Sequence, residues 1–573
     1  MTTKQMSGIS MSEFSTGTEQ KKIDLICSRW LDLKSKRSSY LNQWRSVSRY
    51  VSPFSGRFDI TDKNNVRDTR FILDAEASHD LNILASGLMS GASSPARPWF
   101  KVEPNDQALN NDYSVIEFCD AVNKILLKVF SASNTYNTLH SMYRELALFG
   151  IACDLVYDSD EHGIQHHLLS AGEYCVDVDN NGEIDTLYRN FTLTTAQVVK
   201  EFGYDNTPKE IQDTYNRGDL GSYWEFLHAI EPRIDRDPKS KSNSNKAWAS
   251  YYCSLSTRPA IIRESGYDYF PALVPRWDVL GTDAYGTSPS INCLPDIKQL
   301  QQETLRKAEI IDHLSKPPLQ VPNSARQSPI SLATGAINYT QSTSPEQMIR
   351  PITQGIGDVN SLTADIASIK DSIRRSYFVD LFQMVGSTAG DRRTTVEIYA
   401  LQQEQMLSLG PVVERSQNEL LGRLVNLTFR KLGERGLLPE LPPALENKPL
   451  TVEFTSVLAQ SQKSVDINSV DRLVSAISAA AQIAPEVLDR IDPDGYVDEY
   501  RDRLGVAPKI LRSREDAQKI REQRAQAQQQ QQQLQEQNIQ AQTQSTMAQA
   551  QKNGADASLA MQQLDDVGGG SLL

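Results

Sequence analysis

Apolar positions in the first 150 residues recur at helical spacing. Between Lys21 and Val51, Ile23, Ile26, Trp30, Leu33, Leu41, Trp44, Val47 and Val51 fall three or four apart once a short polar stretch is allowed for. Pro53 and Gly56 stop the run. A second helix is predicted from Ala75 to Met89, with Leu81, Leu84, Ala85 and Leu88 on one face and an end at Gly91. It leads into Pro95-Ala-Arg-Pro-Trp-Phe100. Two prolines followed by two large aromatics predict an extended segment pinned against a core. A third helical region runs from Ser114 to Leu148.

The period then shortens. Cys153–Tyr157, Tyr174–Val178 and Ile184–Tyr188 read as strands, the last two joined by the hairpin turn Asp179-Asn-Asn-Gly182. Thr194 and Gln197 form a capping box for a short helix to Phe202. Strand signals return from Trp248 to Val279, so residues 151–285 are expected to form a β-rich subdomain within a helical protein.

Helical spacing resumes at Pro295 and Asp296, a proline and an acid suited to a helix N-terminus. Ile297, Leu300, Thr304, Ala308, Ile311 and Leu314 make one stripe, and Pro317-Pro318 ends it. About 20 residues give a rod of roughly 30 Å. After an irregular stretch from Leu319 to Gly357, a second rod is predicted from Asp358 to Gln383, with Leu362, Ile366, Ile369, Ile373, Tyr377 and Leu381 on one face. The pattern predicts an antiparallel pair with a small module at its tip. Both stripes are narrow, leaving surface for solvent or for neighbouring copies.

A polar loop, Gly386-Ser387-Thr388-Ala389-Gly390-Asp391-Arg392-Arg393, follows the second rod. Thr394 and Glu397 open a long helix to Leu432, with a kink expected at Gly410-Pro411 because proline removes a backbone hydrogen bond. A strand is predicted at Leu450–Phe454, then smaller helices over 464–483, 485–489 and 495–504. Beyond Pro508 the chain is rich in Gln, Ala, Arg and Glu. Ile520, Ala527, Leu534, Ala541 and Ala548 recur every seven residues, but the other core position of the heptad is polar. Such a segment either stays disordered or assembles as a helical ring of many copies.

Composition narrows the function. The chain has 573 residues, 39% hydrophobic and 23% charged, enough for several domains. Its net charge of −13 argues against a surface that grips nucleic acid everywhere; it is equally compatible with a wall past which DNA slides and with no nucleic-acid role, so charge alone does not decide. The six cysteines are scattered, which argues against a disulfide framework or zinc module and for a reducing cytoplasm. No apolar run is long enough for a membrane span, and no membrane partner is expected. Residues 1–20 are Ser/Thr/Gly-rich and expected to be flexible.

Enzyme chemistry is missing. No phosphate-cradling G-x-x-x-x-G-K-[ST], nucleophile elbow or zinc helix motif is present. No catalytic residue, metal site or cofactor is assigned. Asp177–Gly182 matches half a calcium loop, but the twelfth position is Tyr188, and a hairpin turn is the preferred reading. His162, His166 and His167 lack a carboxylate shell and read as solvated surface histidines. The basic pairs Arg374-Arg375 and Arg392-Arg393 cluster around one junction of an acidic chain. They are read as a DNA-facing belt that touches phosphates without gripping a long duplex.

Several stretches together resemble the head-to-tail connector, or portal, family of short-tailed phages (podoviruses), over roughly residues 25–510. They are Trp44–Phe58, Leu84–Phe100, the hairpin near Gly182, Pro275-Arg-Trp to Gly286, and Lys316-Pro-Pro-Leu. The resemblance implies an α+β, mainly α fold: a ring subunit with long stem helices, a β-rich wing subdomain, a small clip and a helical crown and tail. It places the wing at 21–286 and 394–460, stem helices at 287–316 and 358–385, and the clip at 317–357. The tunnel loop falls at 386–393, the crown at 461–507 and a helical barrel or disordered tail at 508–573. It implies a dodecamer at one capsid vertex of the virion, assembled in the host cytoplasm. The ring would conduct double-stranded DNA during packaging and ejection, docking the terminase large subunit (the packaging ATPase) and later a tail adaptor. Major capsid, scaffolding and internal core proteins are further expected partners. The alternative is a capsid or tail scaffold subunit that never contacts DNA.

Overall fold

The stripe from Ile23 to Val47 lies along a single helix, α1 (Met11–Tyr50), with Val51 just beyond its end, and Ile23, Ile26, Trp30, Leu33, Trp44, Val47 and Val51 are all buried. The computed structural model describes residues 11–59, 68–106, 109, 112–237, 242–255, 259–321, 331, 337, 350–351, 358–383, 409–446, 448–455, 477, 495 and 514–567. The chain divides into two compact units, residues 1–462 and 463–573. Within the first, helix α2 (Glu76–Ala92) buries Leu81, Leu84, Ala85 and Leu88 but runs through Gly91, where an end was expected. Glycine costs a helix only about 1 kcal/mol, and burial of Ala92 and Ser93 outweighs it. Trp99 and Phe100 are buried against Phe130, and Phe100 begins strand β1 (Phe100–Pro104).

The third helical region is two helices, α3 (Tyr113–Ala132) and α4 (Thr135–Phe149). The break falls where the apolar stripe lapses, between Phe130 and Leu139, in Ser131-Ala-Ser-Asn-Thr-Tyr-Asn-Thr138. Short polar side chains there compete with the helix for backbone groups. Asn134 donates to the His166 carbonyl and accepts from the His166 N–H, both at 2.9 Å, which ties the break to a strand. Gly150 ends α4 at φ +77°, and a Cβ there would lie 2.4 Å from the Gly286 carbonyl oxygen.

Two sheets follow. Strands β2 (Cys153–Ser159) and β3 (Gly163–Leu169) pair antiparallel within a three-stranded sheet in which β2 is central. Strands β4 (Tyr174–Val178) and β5 (Ile184–Thr194) start a five-stranded one. The expected turn joins them, with Gly182 at φ +79°, and Thr194 and Gln197 make both capping-box bonds for α5 (Thr195–Phe202). Helix α6 (Lys209–Asn216) and strand β6 (Tyr223–Pro232) were not expected. Strand β6 buries Phe226–Ile230 without alternation, because it is the central strand and is covered on both faces. Strands β7 (Trp248–Ser254) and β8 (Ala260–Tyr267) complete the order β4-β5-β6-β7-β8, and β9 (Ala272–Leu273) returns to β2.

A short helix, α7 (Pro289–Asn292), precedes α8 (Leu294–Ser315). Strands β10 (Leu319–Gln320) and β11 (Arg350–Pro351) pair antiparallel beyond it. Helix α9 (Val359–Ser376) then runs back beside α8, and a second break separates it from α10 (Val379–Gln383). The single rod expected to Gln383 is therefore interrupted at Tyr377–Phe378, and Phe378 takes φ +54°. Residues 409–416 are helical, Gln417–Leu421 form a π turn, and α11 (Gly422–Glu434) continues. Strand β12 (Leu450–Phe454) pairs with β1 in the register Phe100↔Phe454, tying residues some 350 positions apart. The molecule is thus mixed α and β, mainly helical, with a β-rich subdomain. In the second unit α12 (Arg514–Val567) is one long helix; of the helices expected over 464–504 only Ile477 and Gly495, both helical, fall among the described residues.

Candidate functional site

The base of the α8–α9 pair is built from both ends. Asp358 caps α9 by accepting from the Asn360 and Ser361 N–H groups, and Ile366, Ile369 and Ile373 point into the core. Ser372 donates to Asp296 at 2.8 Å, so the end of α9 meets the start of α8. Tyr377 is fully buried, its hydroxyl 2.7 Å from Ser290 Oγ, which itself donates to the Ala147 carbonyl. Gln301 of α8 accepts from the Leu73 and Asp74 N–H groups and donates to the Asp74 carbonyl. Lys370 of α9 reaches Asp74 at 2.7 Å and Glu76 at 3.2 Å. Gln301 and Lys370 were not singled out in the sequence. Glutamine and lysine on a helix carry no pattern that names a partner 200 or more residues away.

Beneath this junction Asp80 is buried, and neither carboxylate oxygen has a hydrogen-bond partner among the described residues. Burial, reinforced by Glu76, pushes its pKa up to about 7, against the pull of Arg374. Gly87 of α2 admits the Phe382 ring of α10; a Cβ there would fall 2.3 Å from it.

The expected DNA-facing residues separate here. Arg374 and Arg375 occupy the last turn of α9, favourable positions for cations at a helix C-terminus. Arg374 is half-buried and donates to Gln383 at 3.3 Å, whereas Arg375 is exposed. Arg392 and Arg393, with the whole loop Gly386–Arg393, lie outside the described residues, as does the capping box at Thr394 and Glu397. Gly410 and Pro411 lie in the first described turn of the helix over 409–416, and the turn before them is not described. The departure from α geometry that is described is the π turn at Gln417–Leu421. It carries Glu419, which takes Arg276 in a buried ion pair at 2.7 Å. Arg276 also donates to the Gly182 and Asp283 carbonyls, so one guanidinium joins the hairpin turn, the approach to α8 and the π turn.

Both metal-like patterns are otherwise occupied. Asp177 pairs with Lys36 at 3.2 Å, Asp179 accepts from the Asn181 and Glu183 N–H groups, and Tyr188 donates to Glu231. His162 and His167 are exposed, but His166 is buried and not solvated as expected. Alternation along β3 turns it inward, where Nδ1 lies 2.5 Å from Asp154 Oδ2 and Nε2 lies 2.9 Å from Thr135 Oγ1. A hydroxyl, an imidazole and a carboxylate in this order resemble a nucleophile with its base. Thr135 and Asp154 have no exposed surface, so no substrate reaches them and the row fastens α4 to the sheet. Among the described residues no group of three or more His, Cys, Asp and Glu is placed to hold a metal ion, and no helix is long and apolar enough to cross a membrane.

The family described as bacteriophage head to tail connecting protein matches residues 24–511. The chain belongs to that family. The connector is 41% identical to the probable portal protein of Bordetella phage BPP-1 over 509 residues, 88% of this chain and 92% of that one. It is 35% identical to the portal protein of Salmonella phage epsilon15 over 498 residues, 86% of this chain and 89% of that one. A solved chain of the virion of a native gene transfer agent particle aligns with TM-score 0.37 at 11% identity, over 81% of this chain and 94% of that one, too distant a likeness to carry an inference. As a head-to-tail connecting protein of a phage virion, the chain has a structural role, not an enzymatic one.

Proposed function

We propose that the connector is a portal subunit: a twelve-membered ring at one capsid vertex that passes double-stranded DNA inward during packaging and outward during ejection. In this reading α8 and α9 form the stem, 317–357 the clip, 386–393 the tunnel loop and the helix over 394–432 the wing helix behind it. Residues 461–507 form the crown, and the C-terminal helix a barrel above it. The terminase large subunit, which supplies the packaging energy, docks at the clip and gives way to the tail adaptor.

The observation that carries the reading is the far half of the stem. Ile311 and Leu314 on α8 are 47% and 54% exposed; they continue the stripe begun by Ile297 and Leu300 as an apolar strip that a single chain leaves uncovered and that neighbouring copies would bury. Arg375, exposed at the foot of α9, joins Arg392 and Arg393 as the candidate phosphate contacts, while half-buried Arg374 serves the junction instead.

Negative-stain class averages of the purified protein test the ring. Twelvefold particles with a channel wide enough for a duplex of roughly 20 Å support it; shells, filaments or persistent monomers overturn it. Charge reversal at Arg375, Arg392 and Arg393 tests the belt, and packaging and DNA retention at native levels would remove DNA contact from these residues.

A further inference from the structure

The five-stranded sheet carries an unusual row of side chains. Register places Arg189 of β5 opposite His228 of β6, His228 opposite Tyr252 of β7, and Tyr252 opposite Arg263 of β8. Residues paired in this way share one face of the sheet. The His228 and Tyr252 rings stack at 3.9 Å, and the Arg263 guanidinium lies over Tyr252 at 4.3 Å. Arg189, in turn, lies over the Phe191 ring at 4.6 Å. The row therefore has a guanidinium at each end and stacked rings between.

This face lines a cavity of about 900 Å³. Its other walls come from β2 and β3, through Tyr157 and Gln165–Leu169, and from α5, through Gln197 and Lys200–Phe202. Four cations reach it (Arg57, Arg189, Lys200 and Arg263) against two carboxylates, Glu173 and Glu201. Both carboxylates are already engaged, Glu173 by Arg57 at 2.7 Å and Glu201 by Arg263 at 3.4 Å. That leaves Arg189 and Lys200 without a carboxylate partner among the described residues.

Arg189 is the decisive group. It is only 8% exposed, its Nε is buried without a hydrogen-bond partner, and among the described residues its guanidinium meets no carboxylate. A buried charge is strongly unfavourable unless paired. The local field agrees: burial drives the His228 pKa well below its ordinary value, and Arg189 and Arg263 lower it further. The imidazole therefore stays neutral.

We propose that this cavity binds a small oxyanion, a phosphate or carboxylate group, held by the Arg189 fork and approached past Lys200. A planar fork suits two oxygens of such a group, and the desolvated position strengthens the pairing. Aromatic walls at Phe191, Phe202, Tyr252 and Tyr267 leave room for an apolar body attached to the anion. The site lies in the β-rich subdomain, away from the α8–α9 junction, and is independent of the portal reading.

The test is calorimetric titration of the full-length protein with inorganic phosphate and, separately, with citrate, each at the ionic strength of a chloride reference. Saturable binding of about one anion per chain, at least tenfold weaker in Arg189→Met, is the expected result. Tighter phosphate than citrate identifies a phosphate site, and the reverse a carboxylate site. Lys200→Glu, an exposed change that leaves folding intact, weakens the same titration severalfold and serves if Arg189→Met does not fold. Equal response to chloride, or titrations unchanged in the variant that folds, would overturn the proposal.

Discussion

Along α8, the half near Leu294 and the half near Ser315 carry the same kind of apolar residue in the same stripe. Ile297 and Leu300 are fully buried in the main core, whereas Ile311 and Leu314 stand about half exposed. Around the buried half, polar groups are tightly assigned: Gln301 to the backbone of 73–74, Asp296 to Ser372, Lys370 to Asp74 and Glu76. Around the exposed half, Leu305, Ile311 and Leu314 are simply left out in solvent. One helix thus belongs to the subunit at one end and, in the portal reading, to the assembly at the other. Apolar periodicity specifies that a face is to be covered but not by which chain.

Substitutions separate the two kinds of surface. The largest effect is expected in the body, where Arg276→Ala leaves Glu419 only its longer contact with Arg415, at 3.8 Å, and releases the hairpin turn. Breaking a buried pair this way costs about 3–5 kcal/mol, read as a lower denaturation midpoint in urea. Ile373→Ala, at the buried end of α9, should cost about 2–5 kcal/mol in the same measurement, because the core closes only partly over the lost atoms.

Asp80 adds a pH signature at the same end. Its folded pKa is raised, so the folded state holds a proton that the unfolded chain has released. The stabilisation is complete below about pH 4, the usual aspartate range, and is lost as pH rises through about 7. Asp80→Asn is therefore expected to melt higher than the native protein at pH 8 and to lose that advantage at pH 4; a pH-independent difference would contradict it. The smallest effect on the subunit is expected from Ile311→Ser, within about 0.5 kcal/mol for the unassembled chain. Its consequence should appear in assembly, as a reduced ring fraction on size-exclusion chromatography. A large loss of subunit stability would instead place Ile311 in the subunit's own core.

Much of the fold was legible wherever one period ran long enough. The stripe of α1, the capping box at Thr194 and Gln197, the turn at Gly182 and the proline-started α8 all stand where expected. The failures share a cause, which is that tertiary contacts altered a local pattern. Asn134 divides the helical region over 114–148 by bonding the His166 backbone, and Phe378 bends a rod over which apolar spacing continues. Strand β6 was invisible because covering both faces removes alternation. At the junction, Arg374 and Arg375 were legible as a basic pair, but which of them turns inward was not.

The sequence alone determined the kinds of element, most of their ends, the lack of a recognisable catalytic motif and, through scattered motifs, a family resemblance. These depend on spacing, turn chemistry and residue type, which are local properties of the chain. Tertiary structure decided which charges pair and which stay alone. Arg276 finds Glu419 143 positions away, His166 finds Asp154 and Thr135, and Arg189, also buried, meets no carboxylate among the described residues. Pairing requires two groups to meet within about 4 Å, and that distance is set by how strands register and helices pack, not by separation along the chain.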